Sequence, residues 1–194
     1  MILYLHGFRS SPNSYKAQVV KKALTEQGLA ARWVCPQLPP SPAQAIALCN
    51  RLIEEAKLSD PTQELVVVGS SLGGYYAHVL AEQWGCKAAR FNPAVQAARD
   101  LATQVGEHSY YHSTEPFIFQ AQYVEELQQM QPAHATQLQR YFLLVASGDE
   151  VLNHKEMLSA FAGSQGLLIF GSDHGISDFD FYLSSVLHFI APSL

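Results

Sequence analysis

Residues 65–74 read Leu-Val-Val-Val-Gly-Ser-Ser-Leu-Gly-Gly, and the other elements of the chain can be placed around them. The first four residues are a mostly β-branched apolar run of strand length. Residues 74–81 have the apolar spacing of a helix. The Gly-x-Ser-x-Gly motif at 69–73 therefore stands between a buried strand and a helix, which is the pattern of a nucleophile elbow.

The two glycines of the motif have a steric reason. The turn is tight enough to strain the backbone of the nucleophile, and side chains two residues to either side of it would collide. Ser71 is then held at the carboxyl end of the sheet, and the amide of Leu72 points to the same place from the first helical turn. A plain tight turn is one alternative. A phosphate loop is another, but the Gly-Lys-Ser/Thr and Gly-x-Gly-x-x-Gly patterns are absent.

Composition indicates one globular domain over residues 1–194, since 48% of the residues are hydrophobic and 15% are charged. The formal net charge of −5 disfavours nucleic acid or an anionic membrane as a partner. Cys35, Cys49 and Cys86 are odd in number and widely spaced, which favours reduced thiols over disulfides or a zinc site. The amino terminus reads as a strand and not as a signal peptide, and no run approaches a membrane span, so a cytoplasmic protein is expected.

Strand and helix patterns alternate along most of the chain, which predicts a parallel sheet with right-handed crossovers and helices on both faces. The predicted strands are residues 1–5, 30–35, 65–68, 86–91, 141–146 and 166–170. The predicted helices are residues 15–27, 43–57, 74–85, 153–162 and 178–190.

Residues 96–140 interrupt this alternation, because they contain no clear strand and one helix-like run at 121–129. A long insertion at the edge where a site would open predicts a small helical cap or lid. An ordinary crossover helix with long loops is the alternative. The insertion carries Phe117 and Phe119, and we expect at least one of them to line an apolar substrate pocket.

A serine nucleophile needs a base to take its proton and a carboxylate to orient that base. In α/β-hydrolases the chain order is serine, acid, histidine, with the last two on loops after later strands. Asp149 follows the fifth predicted strand and His174 follows the sixth, so both are expected at the sheet edge that carries Ser71. Asp178 is an alternative acid, and the neighbouring Glu150 is expected to point elsewhere.

Of the eight histidines, His174 is the strongest candidate for the base. His6 and His78 are expected to be structural, and His188 lies in the last predicted helix. The remaining four lie in loops or amphipathic stretches and are expected to be solvated: His108, His112, His134 and His154.

An oxyanion hole needs amides aimed at the developing negative charge. The Leu72 amide is one candidate donor. The loop after the first strand of an α/β-hydrolase often carries His-Gly, and His6-Gly7-Phe8 lies at that place. We therefore expect the Phe8 amide to be the second donor, with Gly7 allowing the backbone to approach the reacting carbonyl.

Several segments carry a more specific family likeness, and the eight residues Gly-Ser-Ser-Leu-Gly-Gly-Tyr-Tyr at 69–76 are the most distinctive. The full set is residues 3–8, 10–12, 36–39, 69–77, 92–94 and 148–152. In these segments the chain resembles the YqiA-like esterase family of small bacterial α/β-hydrolases. The histidine loop departs from the family pattern, since it reads His-Gly-Ile at 174–176 where His-Ala-Phe or similar is expected.

The resemblance implies a minimal α/β-hydrolase fold of six parallel strands in the order 2-1-3-4-5-6, without the two amino-terminal antiparallel strands of larger relatives. It also implies hydrolysis of a small-molecule carboxylic ester or acyl thioester by Ser71, Asp149 and His174, with no metal or cofactor. A monomer or weak homodimer is expected. The alternatives are a binding protein that has lost turnover and an acyltransferase that uses an acceptor other than water.

Overall fold

The structure is a computed structural model that describes residues 1–111, 113 and 115–192. Within these residues six strands form one parallel sheet, and two further strands form a separate antiparallel pair. The strands are β1 (Ile2–Leu5), β2 (Trp33–Val34), β3 (Val66–Ser70), β4 (Lys87–Phe91), β5 (Gly106–Ser109), β6 (Pro116–Phe119), β7 (Tyr141–Ala146) and β8 (Gln165–Ile169). The parallel sheet has the order β2-β1-β3-β4-β7-β8, which confirms the predicted order of its six strands.

Helices cover both faces of this sheet, as the alternation predicts. They are α1 (Tyr15–Glu26), α2 (Pro42–Ser59), α3 (Leu72–Trp84), α4 (Ala97–Leu101), α5 (Ala121–Met130), α6 (His154–Ala160) and α7 (Leu183–Ile190). Helices α1 and α7 bury their apolar sides in one core cluster, whereas α2, α3, α4, α5 and α6 contribute to the cluster on the opposite face. The α/β-hydrolase fold is therefore built around a sheet that is buried on both sides.

Strand β3 shows why this segment can lie at the centre of the sheet. Val66 and Val68 belong to the core cluster on the α1 side, and Val67 belongs to the cluster on the α3 side. Alternate side chains of a strand point to opposite faces, so a continuous apolar run satisfies two cores at once. The strand therefore delivers the Gly-x-Ser-x-Gly turn from the middle of the sheet.

The insertion contains helices, as predicted, but the expectation that it has no clear strand was wrong. Besides α4 and α5, the segment contains the antiparallel pair β5 and β6, in which Glu107 faces Ile118 and His108 faces Phe117. Each strand is only four residues long, and β5 is mostly polar, so its own sequence shows little strand preference. The hydrogen bonds of the antiparallel pairing with β6 stabilise β5 as a strand, although its own sequence does not favour one.

Phe119, one of the two candidates for lining a substrate pocket, is a core residue in the structure. Its side chain is 1% exposed and belongs to the core cluster that includes Leu127 of α5 and Tyr76 of α3. The ring also packs edge-on against Phe8 and lies close to Tyr123. Phe119 therefore anchors the β5–β6 pair to the core of the protein. A lid role for the insertion stays a prediction from the sequence.

Replacing Phe119 with alanine is expected to lower the free energy of unfolding by about 3–5 kcal/mol, because it would leave a large void in the core. The matched control is Ile118→Ala on the same strand, where the side chain is 57% exposed and the change should stay within about 0.5 kcal/mol. Urea unfolding of both variants measures the difference. Wild-type stability of Phe119→Ala would contradict the core assignment.

All three cysteines lie in the described ranges and carry free thiols. Burial raises the pKa of the Cys35, Cys49 and Cys86 thiols to about 12, so these groups are poor nucleophiles. No helix in the described ranges is both long enough and apolar enough to cross a bilayer.

Candidate active site

Ser71 lies at the turn between β3 and α3 with φ 56° and ψ −120°. A positive φ is strained for a residue with a side chain. Backbone hydrogen bonds hold the conformation: the Ser71 amide donates to the Phe91 carbonyl (3.0 Å), and the Ser71 carbonyl accepts from the amides of Gly74 (2.9 Å) and Ala94 (3.1 Å). The turn is thus fixed by β4 and the loop after it as well as by its own helix.

The glycines around Ser71 are required by close backbone contacts. A Cβ atom at position 69 would lie 2.0 Å from the carbonyl oxygen of Gly73, which is the collision that the motif predicts. A Cβ atom at position 73 would instead lie 1.9 Å from the carbonyl oxygen of Leu5, so the obstacle there is β1 and not the turn. Gly74 is restricted in a third way, since its Cβ would lie 2.8 Å from Cβ of Pro93.

The side chains of Ser71, His174 and Asp149 form a continuous chain of hydrogen bonds. The Nε2 atom of His174 lies 3.0 Å from Oγ of Ser71, and its Nδ1 atom lies 2.8 Å from Oδ2 of Asp149. A carboxylate can only accept from Nδ1–H, so Nε2 of the neutral ring is left to accept the serine proton. The arrangement can therefore remove a proton from Ser71.

Asp149 is held by more than the histidine. Its carboxylate is completely shielded from solvent, and Oδ1 accepts the backbone amides of Val151 (2.8 Å) and Leu152 (2.7 Å). Burial by itself would raise the pKa of Asp149, but the hydrogen bond from His174, these amides and the charge of His174 outweigh burial, so the pKa is lowered. The group stays ionised and can stabilise a protonated His174.

The loops that carry Asp149 and His174 are joined directly by hydrogen bonds, one of them between backbone groups. The Gly148 amide donates to the Gly171 carbonyl (3.0 Å), and the Gly171 amide donates to Oγ of Ser147 (2.9 Å). A Cβ atom at position 148 would lie 2.3 Å from the carbonyl oxygen of Ser172. Only glycine at 148 lets the two loops approach this closely, and this contact helps to set the spacing between Asp149 and His174.

Asn92 is a positioning residue that the sequence reading did not single out. It is fully buried, and its Nδ2 donates to the carbonyls of Asp173 (3.0 Å) and His174 (3.1 Å) while Oδ1 accepts the Ala146 amide (2.8 Å). Glu150 assists, since its carboxylate accepts the backbone amide of His174 (3.0 Å); the expectation that it points elsewhere was wrong. The Asn-Pro-Ala segment at 92–94 was the available signal for Asn92.

The structure does not bring Asp178, the alternative acid, to His174. Its carboxylate accepts hydrogen bonds from the hydroxyls of Ser172 and Tyr182. These contacts tie Asp178 to the start of the histidine loop and to Tyr182, the residue before the last helix, which makes Asp178 part of the loop's framework.

His6 and His78 are both buried, as expected of structural histidines. Nε2 of His6 accepts the amide of Leu38 (3.0 Å), so the ring is neutral with its proton on Nδ1, facing the Gly7 carbonyl. Burial lowers the pKa of His6 to about 4. Burial and the nearby Arg90 charge lower the pKa of His78 to about 3.

The remaining histidines are away from the hydrogen-bonded chain. His134 and His188 are exposed, and His154 is half-buried at the start of α6. His108 is half-buried, since its ring packs against Phe8 and Nε2 lies 2.6 Å from the Gln104 carbonyl oxygen, so it is only partly solvated. The expectation for His112 lies outside the described residues.

The loop after β1 lies beside Ser71. A Cβ atom at Gly7 would be 3.3 Å from Cβ of Ser71 and 3.8 Å from its Oγ, so a larger residue there would crowd the reacting atoms. Leu72 is the first residue of α3, where the amide has no acceptor within the helix. Gly7, Phe8 and Leu72 all line the same cavity as Ser71 and His174, which is where two oxyanion donors would have to lie.

That cavity has a volume of about 940 Å³. The loop after β1 and the start of α1 form one wall, and α4 with the turn after it forms another. The insertion thus lines the cavity through α4, whereas Phe117 and Phe119 do not line it. Phe117 lines a separate crevice of about 30 Å³ next to Gly7 and Phe8, so a substrate-lining role for it stays a prediction.

Residues 1–191 match the family described as Uncharacterised protein family (UPF0227). The chain belongs to this family. It is the YqiA family, so the resemblance seen in the motifs is confirmed over nearly the whole chain.

Solved structures show the same fold at low sequence identity. Est1E from Butyrivibrio proteoclasticus is 14% identical with a TM-score of 0.71, covering 98% of this chain and 86% of that one. Mouse alpha/beta hydrolase domain-containing protein 10 is 15% identical with a TM-score of 0.67, covering 100% and 90%. The esterase domain of a Rhodothermus marinus protein is 19% identical with a TM-score of 0.64, covering 99% and 84%.

Proposed function

We propose that this protein is a serine hydrolase that cleaves carboxylic esters or acyl thioesters through an acyl-enzyme intermediate. The observation that carries the proposal is the hydrogen-bonded chain from Ser71 through His174 to the shielded carboxylate of Asp149. This chain opens into the cavity beside Gly7 and Leu72. The esterases among the structural neighbours share the fold, but a fold hosts many functions, so the site carries the argument.

In the first half of the reaction His174 takes the proton of Ser71 as Oγ attacks the acyl carbonyl. The negative charge moves to the carbonyl oxygen, where the amides of Leu72 and Phe8 would stabilise it. The tetrahedral intermediate then collapses, and His174 gives the proton to the departing alkoxide or thiolate. Asp149 holds the imidazolium throughout, and its lowered pKa keeps it charged for that role.

In the second half a water molecule replaces the departed alcohol or thiol. His174 takes a proton from that water as its oxygen attacks the acyl-enzyme, and then returns a proton to Oγ of Ser71, releasing the carboxylic acid. The elbow strain at Ser71 keeps Oγ exposed at the edge of the sheet in both steps. No oxidant or reductant enters the balance.

The test is labelling with a fluorophosphonate, followed by intact mass measurement and peptide mapping. A serine that is activated by a base should gain one label, mapped to Ser71, and Ser71→Ala should gain none. Ser70→Ala is the matched control, because Ser70 precedes Ser71 at the end of β3 and also lines the cavity, yet should still be labelled at Ser71. An unlabelled wild-type protein would overturn the proposal in favour of a non-catalytic binding protein.

A panel of esters and thioesters then separates hydrolysis from acyl transfer. Water as acceptor predicts release of the free acid at a rate that does not depend on added alcohols or amines. Product formation that requires such an acceptor would favour the acyltransferase alternative.

A further inference from the structure

Lys16 is a buried cation in the wall of the active-site cavity. It lies in the first turn of α1, is 8% exposed, and lines the same cavity as Ser71 and His174. Its Nζ donates a hydrogen bond to the carbonyl of Gly175. An ammonium has three donors, so two remain for a ligand after this bond.

Lys16 has no counter-ion in contact within the described part of the chain. Among residues 1–111, 113 and 115–192, no carboxylate oxygen lies within 4.0 Å of its Nζ, whereas the cavity's other long cation, Arg99, is held 2.7 Å from both Asp100 and Glu156. Burial lowers the pKa of Lys16 to about 8, although the more distant Asp173 and Asp149 act against this change. A buried charge without a partner is costly, and an anion arriving in the cavity would remove that cost.

The acidic side chains that line the cavity each accept a hydrogen bond, but only the charge of Asp100 is balanced by a cation in contact, that of Arg99. Asp100 is paired with Arg99, Glu150 accepts the His174 amide, and Asp173 accepts the amide of Ser177 at 3.0 Å. The start of α1 adds further donors, because the N-cap residue Ser14 makes no side-chain capping bond and the first-turn amides have no acceptor within the helix. This wall of the cavity therefore offers donors to an anion.

Lys16 lies on the His174 side of the cavity, because its Nζ is hydrogen-bonded to Gly175. His174 must protonate the leaving atom, so the alcohol or thiol part departs on the His174 side of Ser71. Lys16 donates a hydrogen bond to Gly175, the residue after His174. Ile176, which follows Gly175, is buried on the α1 face of the sheet. The apolar lining residues Ala94 and Leu101 instead belong to the opposite face, where an acyl group would be accommodated.

We propose that Lys16 forms an anion subsite on the leaving-group side, so that the preferred substrates are esters or thioesters whose alcohol or thiol part carries a carboxylate or a phosphate. This inference rests on the proposed hydrolase function. It assigns the charge to the part of the substrate that leaves first, and an uncharged or apolar group to the acyl part.

The test compares three acetate esters with related leaving groups: phenyl acetate, 4-acetoxybenzoate and 4-acetoxyphenyl phosphate. The readout is the ratio of kcat/KM for each charged ester to kcat/KM for phenyl acetate, because intrinsic reactivity and general damage to the site cancel between wild type and variant. Lys16→Met should lower this ratio about 10- to 100-fold for at least one charged ester, which is the usual range for loss of a hydrogen bond to a charged group. Comparison of the carboxylate with the phosphate identifies the preferred anion.

Two variants control for charge and for helix chemistry. Lys16→Arg keeps the cation and should retain most of the ratio. Lys21→Met removes an exposed lysine from the same helix and should leave the ratio unchanged. Inhibition of the wild type by 4-hydroxybenzoate and by phenyl phosphate, each relative to phenol, tests the subsite without any substitution and should favour at least one anion.

Three results would overturn the inference. If Lys16→Met lowered kcat/KM equally for all three esters, the role of Lys16 would be limited to its structural hydrogen bond to the Gly175 carbonyl. Loss confined to an acyl-side charge, seen as a changed ratio of p-nitrophenyl hemisuccinate to p-nitrophenyl butyrate, would move the subsite to the acyl side. Failure of the wild type to hydrolyse any ester or to react with fluorophosphonate would instead refute the proposed hydrolase function itself, and with it this inference.

Discussion

Ser71→Ala should lower kcat for ester hydrolysis by roughly 10⁶-fold, since loss of the attacking serine costs about that much in serine hydrolases. The structure explains why no neighbour should replace it. Ser71 has the strained backbone that lifts its Oγ toward His174, and the adjacent Ser70 is a strand residue 8% exposed. Burst and steady-state kinetics with a p-nitrophenyl ester measure the loss.

The matched control for this prediction is Ser70→Ala, which should lose far less activity than Ser71→Ala. Both variants should unfold near the wild-type temperature, because each removes only one hydroxyl. Comparable activity of Ser71→Ala and wild type would end the serine-hydrolase interpretation, whatever the behaviour of Ser70.

Asp149→Asn should lower kcat on the order of 10⁴-fold while the fold survives. The amides of Val151 and Leu152 can still donate to the remaining side-chain oxygen, so the loop should keep its shape. The amide nitrogen of asparagine would then face Nδ1 of His174. That contact favours the tautomer with its proton on Nε2, which cannot accept the proton of Ser71.

Asp178→Asn is the matched control for Asp149→Asn. Its carboxylate binds the hydroxyls of Ser172 and Tyr182, and asparagine can still accept from one of them, so the loss of kcat should be mild. Thermal melts of both variants separate folding from chemistry. The reverse ranking of the two kcat values would move the acid to the histidine loop.

Local patterns in the sequence predicted the structural features that depend on residues close together in the chain. The apolar run before Gly69 and the helical spacing after it predicted the strand-turn-helix unit, and the alternation of strands and helices predicted a parallel sheet. Because loops after parallel strands gather at one edge, the positions of Ser71, Asp149 and His174 after three such strands were enough to expect them together.

Tertiary structure alone decided the features that depend on distant contacts. The aromatic Phe119 reads equally well as pocket or core, and it is core because β6 pairs with β5 and packs onto Phe8. Asn92 reads as a turn residue, yet it joins β7 to the histidine loop. Lys16 lies on an amphipathic helix where a lysine would ordinarily be solvated. Its side chain is buried, and its Nζ donates a hydrogen bond to the Gly175 carbonyl of a distant loop. Periodicity along the chain records which face of an element is buried, but it holds no information on what a distant loop brings against that face.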